Sequence, residues 1–433
     1  MKATVVGGGL AGCEAAWALA ERGVDVTLLE MRPGTTTPAH RTDSLAELVC
    51  SNSFKSLEMT RAQGLLKAEV RLLGSLLMDA ADAARIPGGA ALIVDRTVFS
   101  AGVSSKIEAH RRIRILREEA VDLPSPGVVA TGPLTSASLA AAAVSRLGGS
   151  ALSFYDAIAP IVGTESLDLE KMYFLSRYGK GSGDDYLNAP LSEDEYGRFI
   201  DELVSADRST ARPFDKVPYF EGCLPIEEMA RRGRETLRFG PLKPVGLPDP
   251  RTGKIPHAVI QLRREDSEGQ MWNLVGFQTR LRIPEQRRVF TQIPGLEKAD
   301  FFRWGAIHRN TYLNAPATLT PHLSARDDDR LIFAGQLTGV EGYTESLATG
   351  VLAGISLARL LSGKSVLLPP PETMLGALVR YLHEADPERF QPMNANFGLL
   401  PPLEKRVRGK RDRYAALSER ALEGMKSFAS STI

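Results

Sequence analysis

Lys2 to Glu30 constrains this chain more than any other stretch, because it spells a strand, a glycine-rich turn, a helix and a second strand without interruption. Lys2 to Val6 is a short run with β-branched residues. Leu10 to Arg22 carries the apolar period of a helix, Gly23 stops it, and Val24 to Leu29 reads as the second strand. Gly7, Gly9 and Gly12 between them have the spacing G-x-G-x-x-G. In a βαβ unit the first glycine permits the tight turn, the second lets backbone approach a pyrophosphate, and the third lets helix and strand close up. The helix start adds free N–H groups and a positive dipole end. Glu30 ends the second strand where a carboxylate accepts hydrogen bonds from a ribose 2′-OH, which disfavours a 2′-phosphate. A ligand-free βα turn has no need of that acid. The stretch predicts a dinucleotide cradle and leaves NAD and FAD both open.

A chain of 433 residues with ordinary apolar and charged content predicts about two domains. Net charge is +1, so any affinity for nucleic acid must come from local patches. The three cysteines, Cys13, Cys50 and Cys223, are too few and too scattered for a disulfide framework or a zinc site. No metal is expected, and a reducing cytoplasm fits. No apolar run approaches the ~20 residues that span a bilayer, and the N-terminus reads as a core strand instead of a cleavable signal.

Arg32 to Ser56 loses periodicity and reads mostly as a loop, and long loops inside domains tend to be functional. Cys50 lies in it. Its neighbours are polar and Lys55 follows, a setting that can stabilise a thiolate, although a free cysteine is also an ordinary buried hydrophobe. Gly64 to Arg85 predicts one long amphipathic helix. Leu92 to Arg96 predicts a strand, Thr97 to His110 a helix, and Arg112 to Glu118 a half-exposed strand. Val128 begins a strand that stops at Ala130-Thr131-Gly132, a turn suited to return the chain to the cradle.

Past Gly149 the βαβ rhythm ends until about Leu331, which predicts an inserted α+β domain over 151–325 between two parts of one cofactor domain, 1–150 and 326–433. Gly179 to Gly183 lacks flanking strand and helix, so it reads as a surface loop. Cys223 is bracketed by Gly222 and Pro225, which suits either a presented thiol or a packed loop cysteine. Arginines from Arg231 to Arg288, and Lys405 to Arg413 in the tail, form two basic regions. Either could be a solvated face or a docking surface for RNA backbone. Arg330 to Gly335 predicts a buried strand, followed by a glycine-rich turn and a small-residue helix over Ala348 to Leu361. A second strand, turn and helix start aimed at the cradle favours FAD over NAD.

LVCSNSFKS (48–56), FYDAIAPIV (154–162), FEGCLPIE (220–227), LRFGPLKPVGL (237–247), NLVGFQT (273–279), FAGQLTGVEGYTES (333–346) and FQPMNANFGL (390–399) are not generic motifs. On them the sequence resembles, nearly end to end, the folate- and FAD-dependent tRNA (uracil-5-)-methyltransferases, the TrmFO or small Gid family. Cys13 departs from the small Ser or Ala expected there, and is read as an inert core thiol.

The resemblance implies an α/β fold with a Rossmann-type FAD domain, and transfer of the methylene carbon of 5,10-methylenetetrahydrofolate to C5 of a T-loop uridine in tRNA. Reduced FAD, regenerated by NADH or NADPH, takes the carbon to methyl, and tetrahydrofolate is released. It further implies that Cys50 and Cys223 are the catalytic pair, with the roles of nucleophile and base unassigned. Gly7, Gly8, Gly9, Leu10, Ala11, Gly12, Glu30, Arg32, Thr131, Gly132, Gly335, Gln336, Glu341, Gly342 and Thr344 are the candidate cofactor residues. No membrane and no obligatory protein partner is implied. Three alternatives stand beside this reading: a larger Gid-type flavoprotein acting on the tRNA wobble uridine, a non-catalytic flavin-containing RNA-binding protein, and an FAD oxidoreductase with a small substrate. The first normally has a longer C-terminal helical domain than this chain leaves room for.

Overall fold

The computed structural model describes residues 1–37, 39–148, 151–209 and 224–432, with backbone alone for 151–157 and 307–309. The predicted cradle forms as one βαβ unit: strand Lys2–Val6, helix Leu10–Glu21 (the cradle helix) and strand Asp25–Leu29. The two strands pair in parallel with Val6 beside Leu29. Around them a six-stranded sheet runs in the order Ser324–Ala325, Asp328–Phe333, Gly127–Val129, Lys2–Val6, Asp25–Leu29 and Ile113–Leu116. Its pairings are parallel except at the Ser324–Ala325 edge. Strands buried on both faces need near-continuous apolar runs, and Leu331, Ile332 and Phe333 beside Val128 and Val129 supply them.

A second, antiparallel six-stranded sheet runs Tyr173–Phe174, Tyr186–Leu191, Ala258–Arg264, Met271–Leu274, Ile161–Gly163 and Phe301–Arg303. The strands Ala151–Ile158 and Ala306–Leu313 pair along their full length, carrying the chain out to this sheet and back. Buried apolar residues fall into two clusters. One draws on residues 3–143 and 312–428, the other on 159–296.

Two elements differ from expectation. Gly64 to Arg85 is not one helix but two, Ala62–Leu72 and Leu76–Ala83. Gly74 adopts φ +77°, which ends the first, and the Ser75 hydroxyl accepts from Met78 N–H at 3.1 Å to cap the second. The helix expected from Ala348 starts five residues earlier, at Tyr343, because Gly342 at φ +116° turns the chain directly into it. This helix, Tyr343–Leu361, lies against the cradle helix. A Cβ on Gly350 would stand 2.2 Å from Ala11 O, and one on Gly354 would stand 2.6 Å from Ala15 O. Small residues thus let the two cofactor-facing segments meet closely.

Candidate active site

The cradle has the geometry that its glycines predict. A Cβ on Gly12 would fall 1.7 Å from Gly7 O, so helix and strand touch there, and one on Gly7 would meet Ala130 O at 2.6 Å. On Gly9 a Cβ meets nothing within 4 Å. The cradle helix begins at Gly9 with no side-chain cap and no acid in its first turn, so its leading N–H groups face open space.

That space is a cavity lined by Gly7, Gly9, Glu30, Met31, Arg32, His40, Glu118, Glu119, Thr131 and Thr135, among others. Glu30 is more than a ribose ligand. One carboxylate oxygen accepts from Gly8 N–H at 2.8 Å, and the other accepts from Arg32 N–H at 3.0 Å and Nε at 2.8 Å. Burial pushes its carboxyl up, but the Arg32 hydrogen bond and charge outweigh that and leave it below the ordinary value. A carboxylate has about four lone-pair sites, so one direction remains for a hydroxyl. Arg32 is itself fixed by Glu47 at 3.0 Å. His40, Glu118, Glu119 and Thr135 were not legible from sequence, since they reach the cavity from separate loops.

The turn around Gly335 reaches the same region: its Cβ would lie 2.8 Å from Ala11 Cβ. Gln336 donates through Nε2 to the Glu341 carboxylate, and Glu341 N–H donates to Met393 O at 2.9 Å. Gly342 and the buried Thr344 form the start of the Tyr343 helix. Leu10 and Ala11 are buried in the cradle helix, and Gly132 turns at φ +66° behind Thr131.

Cys50 is half-buried. Five side chains from separate elements hold its loop. Tyr343 Oη accepts from Cys50 N–H at 2.9 Å and from Ser51 N–H at 3.0 Å. Arg96 donates to Leu48 O at 2.6 Å and Cys50 O at 3.3 Å, and Arg303 to Val49 O at 3.0 Å. Arg263 donates to Ser51 Oγ at 3.0 Å and Asn52 Oδ1 at 2.9 Å, and the buried Lys67 donates to Phe54 O at 2.7 Å.

The Cys50 thiol lies within electrostatic reach of both the Arg96 and Arg303 guanidiniums. Arg96 is ion-paired with Glu265 at 2.6 Å, whereas Arg303 has no acidic partner among the described residues. Burial, and then the proximity of Cys50, push the Tyr343 phenol far up, so it stays a neutral hydroxyl. Sequence reasoning missed Arg96, Arg303, Arg263, Lys67 and Tyr343, because they meet the loop only in three dimensions.

Cys223 lies outside the described residues. Cys13 is fully buried, and burial first, then Glu30, push its thiol far up, which suits an inert packing residue. Several arginines of 231–288 are already paired or committed. Arg234 pairs with Asp201, Arg238 with Glu235, and Arg288 with Glu202 and Glu285. Arg263 is 9% exposed and already committed to the Cys50 loop. Asp201 and Glu202 fold back from far along the chain onto Arg234 and Arg288, pairings that local charge counting misses.

A parallel dinucleotide-type α/β sheet, an antiparallel second sheet, and a cysteine loop tied to both define a two-sheet protein with a dinucleotide-type cradle. The family model "Glucose inhibited division protein A" matches residues 2–365. The chain is 59% identical to the methylenetetrahydrofolate–tRNA-(uracil-5-)-methyltransferase TrmFO of Geobacter sulfurreducens, over 97% of this chain and 96% of that one. It is 56% identical to the TrmFO of Pelobacter propionicus, over 98% and 94%. The crystal structure of GidA from Aquifex aeolicus superposes with a TM-score of 0.68 at 18% identity, over 99% of this chain and 75% of that one, a likeness of fold. The chain belongs to the TrmFO family within this wider group.

Proposed function

We propose that this protein methylates uracil C5 in the T loop of tRNA, with 5,10-methylenetetrahydrofolate as carbon donor, FAD as cofactor and NADH or NADPH as reductant. The observation that carries the reading is the seat of Cys50. Tyr343, the first residue of a helix packed on the cradle helix, grips the backbone of the cysteine loop, so the thiol is fastened to the framework that binds the cofactor.

The residues fit FAD. The bare side of Gly9 and the uncapped helix start accept a pyrophosphate, and Glu30, with Gly7, Gly8, Gly12, Arg32 and Thr131 around it, takes the ribose side. Gly335, Gln336, Glu341, Gly342 and Thr344 serve the flavin side. Bound and reduced, the flavin supplies the two electrons that take a methylene-level carbon to methyl. The protein's own work is at the uracil. One thiolate adds at C6 and makes C5 nucleophilic; after C5 gains the carbon, a base removes the C5 proton and the thiolate leaves. Cys50 and Cys223 are the two groups for these tasks.

We read 151–325 as the inserted domain, whose sequence includes Cys223, with 1–150 and 326–433 as the FAD domain. Among the described residues no helix is long and apolar enough to cross a membrane, and a cytoplasmic setting suits the substrate. Incubation of unmodified tRNA with labelled methylenetetrahydrofolate, FAD and NADH, followed by nucleoside analysis, tests the function. Label in 5-methyluridine supports it, and label only in a wobble-position nucleoside, or in none, refutes it.

A further inference from the structure

We infer that the phosphate backbone of the tRNA docks on a basic cleft at the start of the C-terminal helix, Lys410–Ser431, and not over the paired arginines Arg234, Arg238 and Arg288; this rests on the tRNA reading above. The two basic regions of the sequence look alike until their partners are seen. In the first, Arg234, Arg238 and Arg288 are neutralised by carboxylates. In the second, Lys405, Arg406, Arg408, Lys410, Arg411 and Arg413 are all exposed, and among the described residues none makes an ion pair. Six cations within nine residues, opposed in that run only by Asp412, repel one another unless an anion joins them.

Two of these cations also line a concavity. Lys410 and Arg411 share a cleft with Arg61, from the segment after the Cys50 loop, and Lys180, from the glycine-rich loop of the second sheet. One acid, Glu58, serves both Lys180 and Arg61, so the cleft keeps a positive excess. Tyr414 braces it. Its ring stacks on Phe397 at 4.2 Å, and Lys410 and Arg413 each stand 5.6 Å from its centroid, fixing the direction of both charges.

The cleft is close enough to serve the site. Glu58 is eight residues from Cys50, a reach of at most about 29 Å of extended chain, which is less than one duplex turn of about 34 Å. An RNA stem held at the cleft can therefore bring its loop to Cys50.

The test compares flavin-loaded wild type with a triple variant, Lys410→Ala/Arg411→Ala/Arg413→Ala, whose native side chains line the cleft or lie on its Tyr414, are exposed and pair with no acid among the described residues. A second triple, Arg234→Ala/Arg238→Ala/Arg288→Ala, is the comparison. Affinity for unmodified tRNA is measured from low to moderate salt. Each phosphate that ceases to be neutralised by a side chain reduces the log–log slope by about 0.7 to 0.9. The tail triple is expected to lower the slope by about two units and to weaken binding at least tenfold at low salt, while the comparison triple keeps the wild-type slope. Unchanged affinity and slope in the tail triple, or a slope reduced only in the comparison triple, overturns the inference. Wild type that binds tRNA yet fails to methylate it sinks the functional reading and leaves the docking surface standing; wild type that does not bind tRNA sinks both.

Discussion

Tyr343 Oη accepts hydrogen bonds from two consecutive amides, those of Cys50 at 2.9 Å and Ser51 at 3.0 Å, across 293 residues of sequence. A phenol that accepts twice fixes the loop's direction as well as its position. Tyr343→Phe keeps the ring and its packing on Phe54 at 5.6 Å, but leaves both N–H groups without that acceptor. An unsatisfied buried donor costs about 1–3 kcal/mol, and the loop escapes that cost by shifting. We expect kcat to fall about 10- to 100-fold, as a misplacement near 1 Å does, with flavin content unchanged. Steady-state methylation with flavin absorbance checks this, and wild-type kcat would remove Tyr343 from the account.

Gly9 and Gly12 separate binding from folding. Gly9→Val places its side chain in open space, so the protein should fold normally and lose FAD. Gly12→Val must push the cradle helix off Gly7 O, 1.7 Å from the built Cβ, and overpacking of this kind costs about 1–3 kcal/mol or more. Thermal unfolding and flavin content of both variants are the measurements. A Gly9→Val protein that stays yellow at full stoichiometry contradicts the cofactor assignment.

Stability should fall from mildly acid to mildly basic pH through Glu69. Burial pushes its carboxyl up to about 8, although Met374 N–H and Leu375 N–H both donate to it. Unfolded, it titrates near the ordinary value of about 4.3. Between those values the folded chain holds a proton that the unfolded chain has released, so its contribution is full below about pH 4 and is lost as pH rises toward 8. Glu69→Gln cannot titrate and should flatten this part of the curve. Urea midpoints for both proteins at pH 5.5 and 8 decide it, and equal pH dependence in the two would show Glu69 ionised in the folded state.

Much of this architecture was legible because its signals are local. Strand, glycine turn, helix and acid fall within Lys2 to Glu30, and the returning turns at Thr131 and Gly335 are each marked by glycine beside a buried strand. The Cys50 loop was legible as an irregular polar segment. What grips it was not, since Tyr343, Arg96, Arg263 and Arg303 come from four elements that only the folded chain brings together. The break at Gly74 was hidden because the apolar period continues through it. Local charge likewise gave 231–288 and 405–413 the same reading, although the remote Asp201 and Glu202 pair with Arg234 and Arg288 in the first.

We propose that Cys50 and Cys223 perform the chemistry at uracil. Cys50→Ala and Cys223→Ala should each keep FAD and tRNA binding and lose methylation by orders of magnitude, because both thiols act in the transition state and add little to ground-state binding. Cys13→Ala should leave methylation intact. The most direct measurement uses tRNA with 5-fluorouridine at the target position, incubated with methylenetetrahydrofolate and reduced, flavin-loaded enzyme. Fluorine at C5 cannot be removed as a proton, so the adduct persists. Peptide mapping is predicted to find the RNA joined to Cys50 or Cys223, with Cys13 unmodified; an adduct on neither catalytic cysteine would contradict the account.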